Sequence, residues 1–177
     1  MERHDVAAMW APNIYTYVTF KKMESELLIV SPDCEIVSSR VFNASAEVVF
    51  RAWTDPDLLS KWWGPAGFTN TFHEFDLWPG GRWRFTMHGP DKGHYRNECV
   101  FLKIEQPYLI AWDRISKPLF RVVTTFDETI DGNTELIFRM QFATKEECDK
   151  IRKFAGGKNE ENFDKLEVVL LACQQQD

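Results

Sequence analysis

From Lys145 onward, Cys148, Ile151, Ala155, Asn159, Phe163, Leu166, Leu170 and Cys173 fall three or four residues apart. That spacing predicts one long terminal helix with a single continuous stripe, apolar except at Asn159. Such a stripe must lie on an apolar surface of matching length, and the segments before it read as strands. Trp83, Phe85 and Met87 alternate with Arg82, Arg84, Thr86 and His88, the pattern of a half-buried strand. Leu136, Phe138, Met140 and Phe142 repeat the pattern. Pro79-Gly80-Gly81, Asp91-Lys92-Gly93 and Asp131-Gly132-Asn133 supply positive φ angles for tight turns. Hairpins in series make a curved antiparallel sheet, and the sheet grips the helix. The class is α+β.

Two short helices are expected between a first extended segment, ending at Phe42, and the meander. Ala46, Val49, Phe50 and Trp53 share one face of the first, with Asn43 and Ser45 as candidate caps. Asp55-Pro56-Asp57 opens the second with a capping carboxylate, a proline where no amide donor is needed, and an acid at the positive helix end. Its apolar face is Leu58, Leu59, Trp62 and Trp63, and Gly64-Pro65 stops it. The stripe runs straight through Gly156-Gly157, a pair that costs helix stability and so predicts a kink, a break or a close backbone approach.

At 177 residues the chain is one domain's length, with room for a core that needs no staples. We read residues 34–174 as that domain and 1–33 as an N-terminal extension, of which the segment before about Met23 is expected to lie outside the core. The extension includes the strand-like run 13–20, and Met23 is an alternative start. The net charge of −6 argues against nucleic acid or an anionic membrane as partner. Cys34, Cys99, Cys148 and Cys173 are scattered, without C-x-x-C spacing, and read as buried thiols. The longest apolar run near the start, Leu27-Leu28-Ile29-Val30, is too short for a signal peptide or a membrane span. A cytoplasmic location, as monomer or homodimer, is expected.

Known chemistry is sparse. There is no G-x-S-x-G turn and no phosphate-cradling glycine loop, and no cofactor motif is present. His73, Glu74, Asp76, His88, His94 and Glu98 gather in one hairpin region without metal-ligand spacing, so no metal site is expected. Arg82-Trp83-Arg84 interleaves bases with a ring, yet on a strand the two arginines point together, away from Trp83. Glu98 is the best candidate for acid–base work, because its strand face continues through Val100, Leu102 and Ile104. His73 is its candidate partner. The alternative is a rim position where Glu98 pairs with Arg or Lys.

Phe50-Arg51-Ala52-Trp53-Thr54-Asp55-Pro56, Trp62-Trp63-Gly64-Pro65 and Pro79-Gly80-Gly81-Arg82-Trp83, taken together, closely resemble the START-like helix-grip (SRPBCC) family. The nearest likeness is to the C-terminal domain of activators of the ninety-kilodalton heat-shock-protein ATPase, over about Cys34 to Leu171. The resemblance implies a cavity between sheet and long helix that binds a small apolar molecule such as a lipid, polyketide or aromatic. It also implies two alternatives: a cyclase- or hydrolase-like enzyme using Glu98 and His73, and a chaperone-associated interaction domain. No separate domain of the kind through which the activators engage the chaperone fits before Cys34, so strong chaperone stimulation is not expected. Relatives tend to carry Gly-Trp where Lys158-Asn159 stands, which exchanges a ring facing the cavity for an amide. The expected ligand site is therefore a cavity beside Asn159, bounded by Trp63, Trp83, Phe85 and Trp112, with Phe163, His73 and Glu98 as further candidates. Non-catalytic binding is the favoured reading.

Overall fold

The structure, a computed structural model, describes residues 31–175. The strand-like run 13–20 lies outside the described residues. A 3₁₀ turn, Pro32–Cys34, leads into β1 (Glu35–Phe42), followed by helices α1 (Ala46–Thr54) and α2 (Pro56–Trp62). Six strands come next: β2 (Thr69–Phe75), β3 (Arg82–His88), β4 (His94–Glu105), β5 (Leu109–Arg114), β6 (Phe120–Glu128) and β7 (Thr134–Gln141). Helix α3 (Lys145–Gln174) ends the fold. The strands form one antiparallel sheet in the order β1-β7-β6-β5-β4-β3-β2. It is a hairpin meander that β1 joins at the β7 edge.

The turns arise as their chemistry requires, with one difference. Gly80 and Gly132 take φ of 90° and 74°, but in the Asp91-Lys92-Gly93 turn the left-handed residue is Lys92, at φ 64°. The Asp91 carboxylate accepts the Gly93 N–H at 3.0 Å, a local bond that helps hold this turn. In α2, Asp55 is the N-cap and accepts from the N–H groups of Asp57 and Leu58, with Pro56 at the first helical turn. Ser45 occupies the N-cap position of α1, but its side chain makes no capping hydrogen bond. The Trp62 indole N–H donates to the Ala52 carbonyl at 2.9 Å and ties α2 to α1. Helix α3 runs unbroken through Gly156-Gly157. A Cβ added at Gly157 would meet nothing within 4 Å, so close packing does not explain that glycine.

Strand alternation sorts the sheet into two faces. The inner face carries Trp83 and Phe85, Cys99 and Phe101, Ile110 and Trp112, and Phe138 and Met140, all buried in one core with α1, α2 and α3. The rings are closely packed: Trp53 lies 4.7 Å from Trp62, Trp63 lies 5.3 Å from Trp83, and Trp83 stacks on Phe85 at 4.4 Å. On the outer face Leu109, Ala111 and Val123, with Leu102 against them, make a second, smaller apolar cluster. The backbone of α3 approaches β1, α1 and α2 most closely. The space between α3 and strands β3–β5 is thus left to side chains, and they do not fill it. No described helix is long and apolar enough to cross a membrane.

Candidate functional site

The unfilled space is a cavity of about 270 Å³. Its floor is the inner face of the sheet, through Phe85 and Met87 of β3, Cys99 of β4 and Trp112 of β5. Trp63, the C-cap residue of α2, closes one side. Its roof is Ala155, Lys158, Asn159 and Asn162 of α3, at the i, i+3, i+4, i+7 spacing of one helical face. Phe154 stands at the rim and is largely exposed. Arg114 and Phe120 border both this cavity and a neighbouring depression of about 480 Å³ by the β5–β6 turn.

Among the expected residues, the structure brings Trp63, Phe85, Trp112 and Asn159 together around the cavity. Trp83 lies behind this wall, packed against Trp63, Phe85 and Trp112, and its indole N–H has no partner. Phe163 lies farther along α3, edge-on to Phe42 at 5.9 Å, with the Arg40 guanidinium over its ring.

His73 and Glu98 stand elsewhere. The inner positions of β4 are Asn97, Cys99 and Phe101, so Glu98 points to the outer face, where it pairs with Arg82. The apolar run through Val100 and Leu102 suggested the opposite face because the outer face is itself apolar near Leu109 and Val123. His73 bonds the Thr86 hydroxyl at 2.9 Å, on the same outer face, and β3 separates it from β4. Nearby, Arg84 pairs with Glu74, and the Nδ1 atoms of His88 and His94 lie 2.7 Å apart. Among the described residues no three metal-ligating side chains gather.

Of the cavity's polar groups, Asn159 is the expected one, whereas Asn162 and Arg114 are additions that the structure supplies. Asn159 is buried and donates to the Ser38 hydroxyl at 3.0 Å, so its amide N–H is satisfied from β1. Asn162 is the unsatisfied amide: its Oδ1 is buried without a partner. Its signal was its place three residues after Asn159 on the same stripe. Arg114 was equally readable as the next inward position after Ile110 and Trp112. Burial pushes the Arg114 guanidinium's pKa down, partly offset by Cys99. Burial also pushes the Cys99 thiol up to about 12, which keeps it protonated and poorly nucleophilic at neutral pH.

A meander wrapped on a long terminal helix, with two helices after the first strand and a cavity beneath, defines a START-like helix-grip protein. The chain belongs to the family of Activator of Hsp90 ATPase homolog 1-like proteins, whose model matches residues 43–170. Solved structures share the fold. A protein of Nitrosomonas europaea is 20% identical and superposes with a TM-score of 0.76 over 82% of this chain and 99% of its own. One of Rhodobacter sphaeroides is 26% identical, with a TM-score of 0.72 over 80% and 96%. An AHSA1 protein of Silicibacter pomeroyi is 17% identical, with a TM-score of 0.63 over 78% and 98%. No curated protein matches the chain significantly.

Proposed function

We propose that this protein binds a small apolar molecule, one or two rings in size, in the cavity beneath α3 and does not transform it. The observation that carries the reading is the cavity itself: about 270 Å³, walled by Trp63, Phe85, Met87 and Trp112. That volume falls just below the roughly 300–1,000 Å³ of pockets for drug-sized ligands. A compact aromatic therefore suits it better than a lipid chain or a polyketide. Burying apolar surface there is favourable at about 25 cal/mol per Å², and the polar groups at the wall would set orientation. The thiol of Cys99 is held protonated, and Glu98 is engaged by Arg82 on the other face. Neither supports a reaction at the cavity. A sequestering or sensing role follows from this reading.

The test is a titration with 1-naphthalenemethanol followed by the indole N–H signals of ¹⁵N-labelled protein. Saturable shifts at Trp63 and Trp112, with the exposed Trp78 unmoved, are expected. Shifts absent from Trp63 and Trp112 at saturating probe would refute the reading.

A further inference from the structure

We propose that the natural ligand is an aromatic carboxylic acid whose carboxylate is held by Arg114. This rests on the cavity being a ligand site. The arrangement of arginines carries it. Arg40, Arg121 and Arg139 are, with Arg114, the half-buried arginines among the described residues. Arg40 meets Glu160 and Asp164, Arg121 meets Asp113, and Arg139 meets Glu35. Arg114 has no carboxylate within salt-bridge distance among the described residues, although it is the one that borders the cavity.

Its neutral partners leave capacity for an anion. Nε donates to the Ser116 hydroxyl at 3.3 Å and one terminal nitrogen to the Lys117 carbonyl at 3.2 Å. A guanidinium has five N–H donors in a planar fork, so the remaining donors match a carboxylate's two oxygens. The guanidinium carbon sits 5.4 Å from the centroid of Phe120, itself a wall residue, so the charge lies against the cavity's apolar lining. Its pKa is pushed down by burial, the sign of a cation that lost water without gaining a counter-charge. Asn162 adds a second polar point. Its unpartnered Oδ1, also on the wall, accepts a donor such as a ring hydroxyl or amine.

Calorimetry at pH 7 with 1-naphthoate and its neutral isostere 1-naphthamide tests the assignment. The acid is expected to bind at least about tenfold more tightly than the amide, as a charged hydrogen-bonded pair in a half-buried site requires. Arg114→Met should abolish that preference while leaving naphthamide affinity in place, and Arg114→Gln carries the same comparison if the methionine variant folds poorly. Naphthamide binding as well as naphthoate in the unmodified protein overturns the acid assignment and leaves the cavity reading standing. A preference that survives in the Arg114 variants also overturns it. Failure of both probes to bind refutes the cavity reading, and the acid assignment falls with it.

Discussion

Gly80 and Gly81 adjoin in the β2–β3 turn, and they lack side chains for different reasons. Gly80 takes φ of 90° in open space, so Gly80→Ala meets only backbone strain of about 1–2 kcal/mol. Gly81 has no positive φ, but a Cβ there would sit 2.0 Å from the Asp76 carbonyl oxygen, and backbone cannot swing aside as a side chain can. Gly81→Ala should cost about 3 kcal/mol or more, measured by denaturant unfolding. Equal costs would show that the turn relaxes. Cys99 gives a pH signature. Its thiol is held protonated up to about 12 in the fold, against 9.0 ordinarily, because burial disfavours the thiolate. Between those values the unfolded chain releases a proton that the folded chain keeps. Stability from this group is therefore full below pH 9 and falls as pH rises toward 12, by up to about 1.4 kcal/mol per unit. Unfolding free energy followed from pH 8 to 10.5 should drop more steeply in the unmodified protein than in Cys99→Ala. Parallel slopes would contradict the buried-thiol account.

At the scale of elements, local chemistry made most boundaries legible. Asp55-Pro56 starts α2 in the sequence and in the structure, because a capping carboxylate and a residue without an N–H satisfy a helix start together. The alternation through Trp83 and Phe85 placed β3 correctly, since its two faces differ sharply in polarity. Glu98 was harder to orient. Both faces of β4 carry apolar residues, so period two alone cannot say which face is inner. Gly156-Gly157 posed a similar difficulty, because propensity marks a weak point without saying whether tertiary packing overrides it. In α3 packing wins and the helix continues. Gly157 is exposed and has room for a methyl group, so Gly157→Ala should stabilise the protein by about 1 kcal/mol. A thermal melt checks this, and a destabilised variant would mean that the glycine supports a bend in α3.

Over the whole molecule, the fold was readable because hairpins and a long stripe admit few arrangements, whereas the cavity depends on distances no sequence pattern encodes. Trp63, Trp112 and Asn159 could be assigned to inward faces, but whether α3 stands off from β3–β5 is decided by how it packs on β1, α1 and α2. For the same reason Trp83, equally inward, ended behind the wall and not on it. The central claim is that this stand-off leaves a space that takes up an apolar molecule, and Asn159 marks its roof. Asn159→Trp replaces a small amide with a ring large enough to occupy the space, at the loss of one hydrogen bond to Ser38. The most direct measurement is uptake of the neutral two-ring dye 1-naphthylamine by the unmodified protein and by Asn159→Trp, with the melting temperature of each. Saturable one-to-one binding that Asn159→Trp abolishes is expected. The variant's Tm should rise by about 2–4 °C, the equivalent of about 1 kcal/mol for a chain of this size. Undiminished dye binding in a destabilised Asn159→Trp protein would contradict the account and make Asn159 a structural amide in a packed helix.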